Sequence, residues 1–208
     1  MKTIVICDDD LLVDLSYAAE ILARGGLVAV PTETVYGLAA NGLDSSAVEK
    51  IYDVKGRPSI KPLSLLVPDI AAAENFCRDI PDSALALTEA FWPGPLTIIL
   101  HRLSIVPDIV TAGGDTVGLR CPDHPITIEL LRLSGIPAAA PSANPSGMPS
   151  PKTAGEVLGY FDGKIDCVVD GGECRLGLES TIIDLTVTPP KIIRQGALSG
   201  DAIWEVIR

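Results

Sequence analysis

Ser46-Ala47-Val48-Glu49-Lys50-Ile51-Tyr52-Asp53-Val54-Lys55-Gly56-Arg57-Pro58-Ser59-Ile60-Lys61-Pro62-Leu63-Ser64-Leu65-Leu66-Val67 reads as a helix, a rigid turn and a strand in direct succession. Ser46 and Glu49 match a capping box, and Val48, Ile51, Tyr52 and Val54 follow at helical spacing. Gly56 lets the backbone turn and approach a ligand, while Pro58 and Pro62 prevent a helix from running on. Leu63 to Val67 is then a short apolar run bounded by proline, as expected of a buried strand. Lys55, Arg57 and Lys61 put three cations and no acid into the turn, although the chain carries a formal net charge of −11. Mounted between a helix end and a strand start, that turn suits a multiply charged anion such as a nucleotide triphosphate. Taken alone, a solvated basic loop explains it equally well.

The same alternation extends both ways. Upstream, Thr3 to Cys7 reads as a strand, with Asp8, Asp9 and Asp10 capping a helix through Leu11, Leu15, Ala18, Ala19 and Leu22 that ends at Gly25-Gly26. Leu27 to Val30 is an apolar strand closed by Pro31, and Thr32-Glu33-Thr34-Val35-Tyr36-Gly37-Leu38 is a polar cluster at its end, where ligands of α/β sheets sit. Downstream, the pattern predicts helices over 71–77, 83–91, 126–133, 152–161 and 201–206. It predicts strands over 96–100, 116–120, 136–140, 165–169, 182–185 and 191–194, with a loop over 106–114. Arg120 and Arg194 each end a strand; an arginine there either anchors a carboxylate or pairs with an acid of the chain. Pro141-Ser142-Ala143-Asn144-Pro145 makes a preorganised hydrogen-bonding loop after another apolar strand. This succession predicts an α/β fold, and with no repeat or linker it reads as one domain over residues 1–208.

Composition narrows the function classes. With 47% hydrophobic but only 4% aromatic residues, the core must be built from Val, Ile, Leu and Ala. A sequence pI near 4.5 argues against broad electrostatic binding of a nucleic-acid backbone, though not against a local basic pocket. The five cysteines form no C-x-x-C pair, which fits reduced thiols in a cytoplasmic protein better than a zinc or disulfide framework. No apolar stretch reaches membrane-spanning length, and the amino terminus does not read as a signal peptide. P-loop, dinucleotide-binding, H-E-x-x-H and G-x-S-x-G patterns are all missing. What remains is cations and hydroxyls: Thr32, Thr34, Lys55, Arg57, Lys61, Thr116, Arg120, Ser142, Asn144, Ser180 and Arg194. None is a strong base or an activated nucleophile, a profile that fits catalysis by positioning and by electrostatic stabilisation of phosphates.

Six segments also resemble the YrdC/Sua5 family: Pro31 to Leu38, Lys55 to Pro58 with Lys61-Pro62-Leu63, Trp92-Pro93-Gly94-Pro95-Leu96-Thr97, Val117 to Arg120, Pro141 to Asn144, and Glu179 to Ile182. They occur in order from about Leu15 to the carboxyl end. The resemblance implies a single YrdC-like domain: a twisted mixed parallel and antiparallel sheet, flanked by helices, with a concave basic face. It implies a nucleotidyltransferase that makes L-threonylcarbamoyladenylate and pyrophosphate from L-threonine, bicarbonate and ATP. The product would pass to a separate threonylcarbamoyl transferase that modifies the adenosine beside the tRNA anticodon, with at most a weak contact to tRNA. By resemblance, Lys55, Arg57, Lys61, Thr116, Ser142, Asn144 and Arg194 bind ATP, with Lys55, Arg57 and Arg194 catalytic. Thr32, Thr34, Arg120 and Ser180 bind threonine. Mg2+ is expected to arrive with ATP, and no metal site of the protein's own is expected. Some members carry a histidine where this chain has Leu66, and the chain resembles the short form without the further carboxyl-terminal domain of Sua5.

Two other readings remain. A carbamoyl-adenylate-forming module would share the fold and use carbamoyl phosphate, but such modules sit in longer chains with zinc-finger and acylphosphatase-like segments. A non-enzymatic RNA-binding or assembly factor would need stacking aromatics and backbone-neutralising charge, which this composition lacks.

Overall fold

Val28-Ala29-Val30 has no polar side to turn to water, and it is buried on both faces of a sheet: Ala29 joins one apolar core, Val28 and Val30 the other. The structure is a computed structural model that describes residues 2–7 and 11–208. The expected capping by Asp8, Asp9 and Asp10 lies outside the described residues. In chain order the elements are β1 (Ile4–Ile6), α1 (Leu11–Ala23), β2 (Val28–Val30), β3 (Gly37–Asn41), α2 (Ser45–Lys55), β4 (Ser64–Leu66), α3 (Ile70–Ala73), β5 (Cys77–Arg78), α4 (Asp82–Phe91) and β6 (Leu96–Arg102). Then follow α5 (Asp108–Thr111), β7 (Thr116–Arg120), α6 (Pro125–Ser134), β8 (Ala138–Ala139), α7 (Ala154–Phe161), β9 (Cys167–Val169), β10 (Thr181–Asp184), β11 (Lys191–Arg194) and α8 (Gly200–Ile207).

The strands form one mixed sheet in the order β1-β9-β2-β3-β8-β4-β7-β6-β10-β11, with β5 paired to β6. β1–β9, β2–β9, β4–β7 and β6–β10 are parallel pairs and the others antiparallel. The period of two along each strand sorts side chains between the faces. Leu65 and Val168 face a core closed by α2, α4, α7 and α8, whereas Leu66, Cys167 and Val169 face one closed by α1 and α6. The mixed sheet flanked by helices is the expected α/β class.

Several local expectations need correction. Helix α2 is capped by Asp44, whose Oδ1 accepts from the Ser46 and Ala47 amides at 2.9 and 3.4 Å, so the capping box read at Ser46 is displaced. The helix expected over 71–77 stops after one turn at Ala73, because Cys77 and Arg78 pair with Arg102 and His101 of β6. The expected loop at 106–114 contains α5, and the polar cluster runs directly into β3, whose Gly-Leu-Ala-Ala-Asn sequence has no β-branched residue to announce it. The basic turn starts as expected: α2 ends on Gly56 in the left-handed conformation (φ 56°), where its amide bonds back to the last turn.

Candidate functional site

A row of five residues runs across neighbouring strands at one level of the sheet. Leu66 of β4 pairs with Arg120 of β7, Thr97 of β6 with Ile182 of β10, and Ile182 with Arg194 of β11. Thr97 lies one residue beyond the Ile98–Leu119 pair and so comes level with Arg120. All five line a cavity of about 170 Å³, closed on the other sides by Thr34 and Val35, by Arg57, Pro62 and Leu63, by Ala140 to Ser142, and by Glu179 and Ser180. Strand register therefore delivers two arginines and a threonine to one floor, and loops at the strand ends supply the walls.

At one end, Arg120 lines the cavity and is 8% exposed, held by its Nε and Nη2. Its Nε donates to the Gly94 carbonyl at 3.2 Å, and its Nη2 donates to Glu33 Oε1 at 2.8 Å and Thr34 Oγ1 at 2.9 Å. Glu33 Oε2 in turn accepts from the Asp123 amide at 3.0 Å. The open question at Arg120 is thereby answered: it pairs with a buried acid of the chain. Among the described residues its Nη1 has no protein partner, so one edge of the guanidinium is not used by the chain. Thr34 is wholly buried against Thr32, whose hydroxyl lies 2.8 Å away and donates to the Val35 carbonyl at 2.6 Å. Thr32 thus braces the turn from behind and does not line the cavity.

At the other end, Arg194 donates from Nε to the Ser180 carbonyl at 3.0 Å, from Nη2 to the Ser180 hydroxyl at 3.1 Å, and from Nη1 to Glu179 at 2.6 Å. The Ser180 and Thr97 hydroxyls lie 2.8 Å apart, linking the floor to Arg194. Gly118 keeps that floor open: a Cβ there would lie 2.8 Å from Ser64 Oγ and 3.2 Å from Thr97 Cγ2. Burial pushes both Arg194 and Arg57 below the ordinary arginine value, and each is also lowered by a neighbouring arginine, Arg120 for the first and Arg194 for the second. Crowded, partly desolvated guanidinium groups of this kind are a receptor for polyanions.

Of the residues selected from the sequence, Thr34, Arg57, Arg120, Ser142, Ser180 and Arg194 come together in the cavity. Lys61 is exposed on the basic turn outside it, although its carbonyl accepts from Arg57. Lys55 and Asn144 are buried behind the wall, at 3% and 6% exposure. Thr116 stands at the far end of β7, about 13 Å along the strand from Arg120, next to His101. It shares the face of β7 that carries Arg120 but does not line the cavity. Glu33, Glu179 and Thr97 belong to the site and were not selected, although each lies in a quoted segment. Two arginines at strand ends in an acidic chain were the signal that carboxylate partners had to be near. Buried Cys77 is pushed up to about 11, and Cys121 and Cys167 to about 12, so these thiols stay protonated and supply no nucleophile at neutral pH. Among the described residues no group of three or more His, Cys, Asp or Glu side chains is placed to hold a metal, and no helix is long and apolar enough to cross a membrane.

Known proteins resemble this chain in sequence and fold. The Sua5_yciO_yrdC family model, described as "Telomere recombination", matches residues 20–196. The threonylcarbamoyl-AMP synthase of Pyrococcus abyssi is 50% identical over 190 residues, covering 91% of this chain and 56% of the relative. That of Bacillus subtilis is 45% identical over 194 residues, covering 93% and 56%. The chain thus spans little more than half the length of these two relatives. The crystal structure of P. abyssi Sua5 complexed with L-threonine superposes with a TM-score of 0.95 at 46% identity, covering 100% of this chain and 61% of that one. Since the matched segment contains every wall of the cavity from Thr34 to Arg194, the chain belongs to the Sua5/YciO/YrdC family.

Proposed function

We propose that this chain forms threonylcarbamoyl-AMP and pyrophosphate from L-threonine, bicarbonate and ATP. The carrying observation is one cavity with a hydroxyl-linked floor between two differently held arginines, Arg120 and Arg194. At the Arg120 end, the unused guanidinium face and Thr34 would receive the threonine carboxylate, with Ser180 beside the amino acid. At the other end Arg57 and Arg194 would hold the phosphates, with Ser142 in the wall and Lys61 at the approach. The threonine amine adds to carbon dioxide derived from bicarbonate and loses a proton, giving a carbamate. A carbamate oxygen then attacks the α-phosphorus of ATP, the bond to the bridging oxygen breaks, and pyrophosphate leaves. Arg194 would stabilise the charge that builds on the α-phosphate in that step.

Such a reaction asks for no protein nucleophile, in keeping with the protonated thiols and the lack of a strong base. Magnesium would come with the nucleotide: the cavity's one lining carboxylate, Glu179, is tied to Arg194 and to Ser150, and does not make a resident site. The product would pass to a transferase acting on the adenosine beside the tRNA anticodon. Pyrophosphate release from ATP is the test. Release that needs both L-threonine and bicarbonate supports the reading, whereas release driven by carbamoyl phosphate and indifferent to threonine rejects it.

A further inference from the structure

Lys55 is the first cation of the basic turn, yet its ammonium does not enter the cavity. It is 3% exposed, and its Nζ donates to the Ser142 carbonyl at 2.5 Å and to the Asn144 carbonyl. Its own carbonyl accepts from the Ser146 amide at 2.8 Å. Arg57, two residues on, does line the cavity.

The segment held in this way, Pro141 to Gly147, is also tied through its backbone: the Pro141 carbonyl accepts from the Leu38 amide at 2.8 Å and the Pro145 carbonyl from the Met148 amide at 3.0 Å. The Ala143 amide donates to the Tyr36 carbonyl at 2.8 Å, and Asn144 Nδ2 donates to the carbonyls of Pro145 and Met148 at 3.0 and 2.6 Å. Pro141 and Pro145 have no amide to donate, and among the described residues the Asn144 carbonyl has Lys55 Nζ as its one partner, while the Ser142 carbonyl shares that ammonium with the Asn144 amide at 3.1 Å. The two carbonyls converge on one ammonium, and Ser142 stands in the cavity wall. Burying a cation is costly unless it is so engaged. Burial, with Arg57 adding to it, pushes Lys55 down to about 8, the direction expected of a lysine withdrawn from water.

We propose that Lys55 is a positioning residue: its ammonium shapes the Ser142–Asn144 wall of the nucleotide site from behind and does not touch the phosphates. The phosphate contacts of the basic turn then fall to Arg57. This rests on the reading that ATP binds in the cavity, but its decisive test does not need ATP.

Amide hydrogen exchange in the ligand-free protein is compared between the wild type and Lys55→Met. Loss of the ammonium should speed exchange at Ala143 and Ser146 by about tenfold or more, with the Leu119 amide in the sheet unchanged. Unchanged exchange at Ala143 and Ser146 would overturn the proposal. AMP and ATP affinities should fall by the same factor in the variant, to within about twofold. A loss confined to ATP would mean that Lys55 binds the outer phosphates and would overturn it. Should Lys55→Met not fold, the wild type with a non-hydrolysable ATP analogue decides by crystallography. Nζ remaining on the two carbonyls, with no phosphate oxygen within about 3.2 Å, supports the proposal, and Nζ transferred to a phosphate rejects it. Failure of the wild type to bind the analogue would count against the proposed function, and the position of Nζ in the ligand-free crystal structure would then decide: Nζ on the Ser142 and Asn144 carbonyls supports the role of Lys55, and Nζ turned into the cavity rejects it.

Discussion

Arg120 and Glu33 meet at 2.8 Å with side-chain exposures of 9% and 2%, while Arg194 and Glu179, the same chemistry at 2.6 Å, are 41% and 40% exposed. The first pair is a structural brace that, among the described residues, leaves one edge of the guanidinium unused by the chain. The second is a water-screened contact at the cavity mouth. Glu33→Ala strands a buried guanidinium and should cost about 3–5 kcal/mol in urea unfolding. Glu179→Gln should cost less than about 1 kcal/mol. Equal losses from the two substitutions would contradict this division.

Arg57 is half-buried, and among the described residues it bonds to two backbone carbonyls, Lys61 O at 3.4 Å and Pro62 O at 3.1 Å. Arg57→Ala should leave stability within about 1 kcal/mol of wild type. Turnover with ATP should nevertheless fall about a hundredfold through the loss of one desolvated phosphate contact. Folded Arg57→Ala protein with undiminished turnover would remove the basic turn from the site.

Gly118→Ala places a methyl group 2.8 Å from Ser64 Oγ and 3.2 Å from Thr97 Cγ2, two side chains that line the cavity. The strain should cost about 1–3 kcal/mol. Threonine KM should rise by about tenfold or more, because the floor is where the amino acid and the α-phosphate have to meet. A variant with normal threonine KM would show that substrate does not reach Gly118.

His124 gives stability a pH dependence near neutrality. Burial pushes its imidazole below the ordinary value of 6.5, and among the described residues its buried Nδ1 has no hydrogen-bond partner. Below pH 6.5 the unfolded chain takes up a proton that the folded chain resists, so stability is lost as pH falls from 6.5 towards the lower folded value. Urea midpoints at pH 7.5 and 5.5 should therefore differ more for the wild type than for His124→Gln. An equal difference in both proteins would contradict this assignment.

The sequence was most legible where one local signal sufficed. Gly56 ending α2, the strands over 116–120 and 191–194, and the strand-end loops carrying Thr34 and Ser142 all follow from spacing, proline and glycine. It was least legible where a distant partner decides. Cys77-Arg78 becomes a strand only because β6 lies beside it, and Thr116 leaves the site only because register puts it at the opposite end of β7 from Arg120. Nothing local sets Glu33 and Glu179 apart from the other acids of the chain, yet they pair with Arg120 and Arg194 across the fold. Lys55 shows the converse, since a cation in a basic turn reads as a ligand contact until its carbonyl partners are seen.

The central claim is that one cavity joins threonine, carbon dioxide and the adenylate of ATP. It is tested most directly by incubating the protein with ATP, L-threonine and ¹³C-bicarbonate and measuring the mass of the adenylate formed. The account predicts an AMP adduct that carries the whole threonine and the ¹³C carbon, formed in step with pyrophosphate. Pyrophosphate release with no ¹³C-labelled threonine adduct, at early times and from well-folded protein, would contradict it.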